Sequence, residues 1–273
     1  MEYLKVILYG IIEGITEWLP ISSTGHLILA EKLLALPYSE EFMSMFRVVI
    51  QLGAILAVVV LYFPRLWPFT TDARHKYQRP AVWQLWFKIL VATLPAMVLG
   101  LLLDDWLDAH LYNYITVAAM LILYGVFFIL IENRRRRPTV RRMDQLTYRH
   151  ALVIGCWQVL AMIPGTSRSG ATIVGGLLLG LARPVAAEFT FFLAIPVMAG
   201  ASGLKLVKFL ADGGTFTGGE VAALALGCAV AFVVSVAAIR FLVSFVQKHN
   251  FKVFGWYRIA LGAVVLAAAF LGF

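Results

Sequence analysis

Two polar segments interrupt an otherwise apolar chain, and their residue types are those of phosphate chemistry. The first runs Glu13-Gly-Ile-Thr-Glu17-Trp-Leu-Pro20-Ile-Ser22-Ser23-Thr24-Gly25-His26. Glu13 and Glu17 are four apart, so a helix places both carboxylates on one face. An ionised group at membrane depth costs roughly 2.5–3.5 kcal/mol at the lower end of measured scales. Acids that bear this cost usually serve a pathway, an ion or a reaction; the plainer alternative is one Glu paired with a buried cation. Pro20 ends a first half-helix, and Ser22 or Ser23 can cap a second.

The second segment runs Pro164-Gly165-Thr166-Ser167-Arg168-Ser169-Gly170-Ala171-Thr172. Hydroxyls, glycine and free amides at a helix start form an anion site, because the unpaired N–H groups and the positive dipole end face the ligand. Arg168 adds a planar fork suited to two phosphate oxygens. A capped helix start with a snorkelling arginine is the plainer reading. Taken together, the segments suit a phosphate ester or anhydride with a divalent cation, Mg2+ or Ca2+, held by Glu13 and Glu17. Ser22, Thr24, Gly25, Gly165, Thr166, Ser167, Ser169, Gly170 and Thr172 are the candidate phosphate-binding residues. Ser23, His26, Glu17 and Arg168 are the candidate catalytic ones. Three nucleophiles compete: Ser23, His26, or a water that attacks directly. Ser23 with His26 assisting is the favoured assignment, since a helix start lowers the cost of an alkoxide and Glu17 or His26 can take the proton.

The elements that must position these groups follow from composition. The 273 residues are 61% hydrophobic and only 14% charged, with a mean hydropathy of +0.85. That is too apolar for a water-facing domain, for disorder or for a disulfide scaffold. Cys156 and Cys228 sit in apolar runs and read as buried free thiols. The first apolar stretch, carrying Glu13 and Glu17 and no small-residue cleavage site, does not read as a cleaved signal. Six runs are long enough to span a bilayer as helices: about Met43–Phe63, Ala81–Leu103, Tyr112–Glu132, Val185–Leu210, Val221–Val243 and Val253–Phe273. The fold class is therefore an all-α polytopic membrane protein.

Charge sets the orientation. Loops 64–80, 133–149 and 244–252 carry Arg65, Arg74, Lys76, Arg79, Arg134 to Arg137, Arg141, Arg142, Arg149, Lys248 and Lys252; loops 37–42, 104–111 and 211–220 carry acids and no Lys or Arg. The positive-inside rule puts the basic set in the cytoplasm, with both termini and Asp104–His110 outside. The net charge of +8 is thus a topology signal, not a nucleic-acid patch. Segments 1–36 and 148–183 must return to the side they enter from, so each reads as a re-entrant helix pair. A shift of 145 residues places Gly10 on Gly155, Glu13 on Gln158, Ser22 on Ser167, Thr24 on Ser169 and Gly25 on Gly170. Each pair precedes three spans, so 1–132 and 148–273 read as two inverted-topology repeats joined by a basic linker, 133–147, with the site opening outward near the midplane.

At this point the residues resemble a known family, the bacterial undecaprenyl-pyrophosphate phosphatases associated with bacitracin resistance. Its acidic ExxxE segment leading into SSTGH stands at Glu13–His26, and its PGxSRSG segment at Pro164–Gly170, with Thr166 in the variable position. The resemblance implies hydrolysis of the lipid carrier's pyrophosphate to its monophosphate, in the bacterial inner membrane, for cell-wall peptidoglycan synthesis. It implies a polyprenyl pyrophosphate substrate and no nucleic acid; homodimerisation is left open. A second lipid-phosphatase family needs a Lys-x6-Arg-Pro segment and a histidine six residues after the motif arginine, and position 174 is Val. The rival from another class is a transporter or flippase, for which a nucleophile, base and metal ligands together are superfluous; a scaffold role leaves the membrane-depth acids unexplained. Arg47, Lys88, Glu188, Lys205, Lys208, Arg240 and Arg258 read as snorkelling residues near span ends. Gly10, Gly100, Gly155, Gly175, Gly176 and Gly180 read as helix-packing positions.

Overall fold

Apolar runs without a water-facing stripe fold as helices that satisfy every backbone group internally, and the structure bears this out. The computed structural model describes residues 2–69, 79–134 and 137–271. Arg74, Lys76, Arg135 and Arg136 of the basic loops lie outside the described residues, as do the side chains of Arg79, Asp104, Asp105 and Asp108. Two short helices, α1 (Glu2–Thr16) and α2 (Ser23–Leu33), come first. A first long stretch is split at Ile50 into α3 (Glu40–Val49) and α4 (Gln51–Leu61) and followed by the one-turn α5 (Phe63–Leu66). Then come α6 (Arg79–Leu111) and α7 (Tyr114–Asn133). The order repeats: short α8 (Tyr148–Val159) and α9 (Arg168–Leu178), then long α10 (Arg183–Ala211), α11 (Gly218–Lys248) and α12 (Lys252–Phe270).

Among the described residues, six helical stretches are long and apolar enough to cross a membrane: Glu40–Leu61, Pro80–Leu103, Tyr114–Asn133, Arg183–Ala211, Gly218–Lys248 and Lys252–Phe270. Each overlaps a span expected from hydropathy. The expected loop 104–111 is instead helical, because α6 continues to Leu111 and its backbone groups stay paired where the apolar run ends. Large apolar side chains point outward along the spans, Leu102 at 71% and Val233 at 65% exposed, as a lipid-facing surface requires. The same physics corrects the reading of Cys156. Its apolar surroundings in sequence are an outward helix face, and the free thiol is exposed.

Small residues set the helix contacts. Without a hydrophobic force between helices in lipid, close backbone approach supplies the packing. A Cβ on Gly10 would lie 2.9 Å from the Gly227 carbonyl, and one on Gly14 2.9 Å from that of Ala231, so α1 presses on α11. A Cβ on Gly155 would lie 2.3 Å from the Ala92 carbonyl, which presses α8 on α6 in the same way. Gly125 and Gly255 approach each other reciprocally at the α7–α12 contact, each Cβ position 2.7 Å from the other's carbonyl. Among the described residues Gly100 has only the Met162 methyl within 4 Å and makes no such contact, while Gly180 ends α9 at φ +87°.

Candidate active site

Each short pair of helices is interrupted where its polar segment lies. In the first, α1 stops at Thr16 and the chain turns through Glu17–Ile21 before α2 begins at Ser23. Ser22 is the cap: its hydroxyl accepts from the Gly25 amide at 3.3 Å. In the second, α8 ends at Val159, a 3-10 turn covers Leu160–Met162, and Ser167 caps α9 by accepting from the Gly170 amide at 3.2 Å. Both caps have positive φ, 73° at Ser22 and 72° at Ser167.

Glu17 joins the two breaks. Its Oε2 accepts a hydrogen bond from the Ser23 hydroxyl at 3.2 Å. Its Oε1 accepts from Arg168 Nε at 3.1 Å, across 151 residues of sequence. Arg168 Nη1 donates to the Thr190 carbonyl at 2.9 Å, and its guanidinium carbon stands 5.7 Å from the centre of the Trp18 ring. Nη2 lies 3.1 Å from Glu17 Oε1 yet has no aligned acceptor among the described residues. The Ser169 hydroxyl donates to the Glu17 carbonyl at 3.0 Å, binding the second break to the first through the backbone as well.

The other expected residues divide by what they touch. Ser23, Thr24, His26, Ser167 and Arg168 are partly accessible. Thr166 and Thr172 are buried; the Thr172 hydroxyl is engaged with the Arg168 carbonyl at 2.9 Å and Thr190 Oγ1 at 2.8 Å, while Thr166 Oγ1 has no partner among the described residues. Gly25, Gly165 and Gly170 are buried in the breaks themselves. Among the described residues no hydrogen bond joins His26 to Ser23. Its Nδ1 lies 2.7 Å from the Ser22 carbonyl, which can only accept, so Nδ1 carries the proton. Its Nε2 lies 2.7 Å from the Tyr257 hydroxyl, and the rings stack at 12° with centroids 5.7 Å apart. In the neutral ring Tyr257 therefore donates to Nε2.

Glu13 is wholly buried, one helical turn before Glu17, whose amide donates to the Glu13 carbonyl at 3.0 Å. Neither carboxylate oxygen of Glu13 meets a donor among the described residues, and neither amide atom of Gln158, its counterpart under the 145-residue shift, has a partner there. Two buried oxygens without donors, next to a second carboxylate, are a donor set that fits a hard divalent cation. Among the described residues no cluster of three or more His, Cys, Asp or Glu forms, so substrate phosphate and water must complete such a site.

Arg258 was read as a snorkelling residue, and the structure overturns that. It is fully buried on α12, and its guanidinium donates to backbone carbonyls in both breaks. An arginine in an apolar helix gives no sequence signal separating an end that reaches water from one that turns inward. Tyr257 was missed for the same reason, since aromatics are common on membrane helices.

The fold and site thus define a multi-pass membrane protein whose two broken helix pairs bring a serine, a carboxylate and an arginine together. The family model described as Bacitracin resistance protein BacA matches residues 6–264, and the chain belongs to that family. It is 57% identical over 264 residues to a protein of Enterococcus faecalis (strain ATCC 700802 / V583) named undecaprenyl-diphosphatase, covering 96% of this chain and 95% of that one. Proteins of the same name from Desulfitobacterium hafniense (strain DSM 10664 / DCB-2) and Latilactobacillus sakei subsp. sakei (strain 23K) are 58% identical over 269 residues and 51% over 273. Those matches cover 97% and 99% of this chain, and 95% and 99% of theirs.

Proposed function

We propose that this chain hydrolyses undecaprenyl pyrophosphate to undecaprenyl phosphate and inorganic phosphate, returning the lipid carrier to cell-wall synthesis and thereby giving bacitracin resistance. The observation that carries this is Glu17, which holds the Ser23 hydroxyl on one oxygen and Arg168 on the other. A carrier needs an anion site but no hydroxyl already hydrogen-bonded to a buried base.

The chemistry runs through these groups. Ser23 Oγ forms a bond to the terminal phosphorus as the bridging P–O bond breaks, and polyprenyl monophosphate leaves with that electron pair. Glu17 takes the Ser23 proton. Arg168 Nη2, with no aligned acceptor among the described residues, donates to the equatorial oxygens where negative charge spreads. Water then cleaves the phosphoserine, and Glu17 returns the proton to Ser23 as phosphate departs. The amides at the starts of α2 and α9 face the same anion, a use of helix N-termini that accounts for the caps being serines. Glu13 and Glu17 would hold Mg2+ or Ca2+, which when bound neutralises phosphate charge. His26, held by Ser22 and Tyr257, assists from the flank by shaping the phosphate pocket.

The architecture we read around this site is two inverted-topology repeats, 1–132 and 148–273, each a re-entrant helix pair plus three spans, in a single membrane domain. Four observations support it: caps 145 residues apart, eleven-residue helices after both caps, α1 against α11, and α8 against α6. On this reading the protein lies in the bacterial inner membrane, the segment 133–147 is a cytoplasmic linker, and the site opens to the outer side.

The test is phosphate release from purified protein in detergent given undecaprenyl pyrophosphate. Stoichiometric release that is lost in Ser23→Ala supports the reading. A folded protein that binds the lipid and releases no phosphate is a carrier, and the proposal fails.

A further inference from the structure

We infer that Arg258 is a positioning residue that locks the two breaks into one unit, its buried guanidinium serving as the donor they share. The inference rests on the reading of the breaks as the phosphate site, and it concerns how that site is held together.

Arg258 is 0% exposed. Nη1 donates to the Pro20 carbonyl at 3.2 Å in the first break. Nη2 donates to Gly165 at 2.8 Å and Thr166 at 2.9 Å in the second. Nε and Nη2 also reach the Leu121 and Met120 carbonyls of α7 at 3.4 and 3.3 Å, and the guanidinium stands 5.6 Å from the centre of the Tyr124 ring. All these partners are neutral. A buried cation is costly unless its hydration is replaced, and here five carbonyls surround the fork: one at Nε, one at Nη1 and three sharing the two N–H groups of Nη2.

The partners' places in the chain give the fork its consequence. Pro20 lies just ahead of Ser22 and Ser23, and Gly165 and Thr166 just ahead of Ser167 and Arg168. Pinning these carbonyls fixes how the chain enters α2 and α9, and so fixes Ser23 relative to Arg168. Ser169 on α9 also reaches the backbone of the first break, at the Glu17 carbonyl, whereas Arg258 holds carbonyls of both breaks from a third helix, α12. Gly170 takes part by absence: a Cβ there would lie 3.1 Å from Arg258 Nη1. Lysine cannot substitute, because one ammonium on a flexible stem has no fork to span two segments.

The experiment uses the full chain in detergent, with Arg258→Lys and Arg258→Met checked first for monodispersity and thermal midpoint. Hydrogen exchange is then followed for peptides covering 17–25 and 163–170. In the folded variants both peptides are expected to exchange faster together, by about tenfold or more, while α3 and α4 keep their protection. In turnover, kcat per folded enzyme falls by about a hundredfold and KM moves less than about threefold, because misplacement harms the transition state more than lipid binding. Loosening of one peptide alone, or of neither, would overturn the inference, as would unchanged kcat in a folded variant. If neither variant folds, wild-type exchange across a denaturant series decides: one common opening energy for both peptides supports the lock, and two separate openings refute it. Exchange reads no chemistry, so a failure of the phosphatase reading leaves this result to stand or fall by itself.

Discussion

Ser22 and Ser167 are the same cap built twice. They stand 145 residues apart, adopt φ of 73° and 72°, and each hydroxyl accepts from the amide of the glycine three residues on. Positive φ is strained for a residue with a Cβ. Serine in that conformation gives up backbone ease for a hydrogen bond that starts the helix.

The cap itself can be tested. Ser22→Gly removes the hydroxyl but relieves the positive φ, whereas Ser22→Ala removes the hydroxyl and keeps the strain. Alanine is expected to destabilise by about 1 kcal/mol and glycine by only a few tenths. Thermal midpoints in detergent should fall in the order wild type, Gly, Ala; a reversed order for the two variants would refute the strain argument.

Arg168 is expected to serve the transition state more than lipid affinity. Arg168→Ala is expected to lower kcat by roughly a hundredfold or more with a smaller change in KM. Arg168→Lys restores part of it, since an ammonium supplies charge without the fork that grips Glu17. Steady-state kinetics on micellar substrate check this; an active Arg168→Ala enzyme would make the second break structural.

The nucleophile can be caught. Rapid quench with terminally 32P-labelled substrate should trap label on Ser23, and Ser23→Ala should lose about three orders of magnitude or more in kcat. Label on His26 would reverse the assignment. No label, with substantial activity in Ser23→Ala, would point to water.

Chelation addresses the unpaired oxygens of Glu13. EDTA is expected to reduce turnover by about tenfold or more, and added Mg2+ or Ca2+ to restore it. Glu13→Gln should need more cation for the same rate, read as a shifted activation midpoint. Activity indifferent to EDTA would assign Glu13 and Glu17 to acid–base roles only.

Orientation is checked by labelling single cysteines in a background lacking Cys156 and Cys228. Cysteines at Arg134 and Arg142 should react with an impermeant reagent only from the cytoplasmic side. Reaction from outside would invert the topology and the mouth of the site.

The sequence alone carried what depends on composition and on spacing along one helix. Hydropathy marked the six spans, because a membrane segment must satisfy its own backbone and so declares its length. The polar breaks stood out at Glu13–His26 and Pro164–Thr172, because groups costly at that depth are rare, and the shift of 145 aligned Ser22 with Ser167 before any coordinates did. Tertiary structure decided whatever depends on which face of one helix meets another far along the chain. It set Arg168 on Glu17 rather than wholly toward phosphate, turned His26 toward Tyr257 instead of Ser23, and exposed Cys156. It also carried Arg258 inward to carbonyls 92 to 238 residues away, where the sequence had left it at a span's edge. The physical reason is that lipid makes every apolar face equivalent, so hydropathy cannot mark inward from outward. Only packing of the small residues, Gly10 and Gly155 among them, fixes which polar groups meet in the interior.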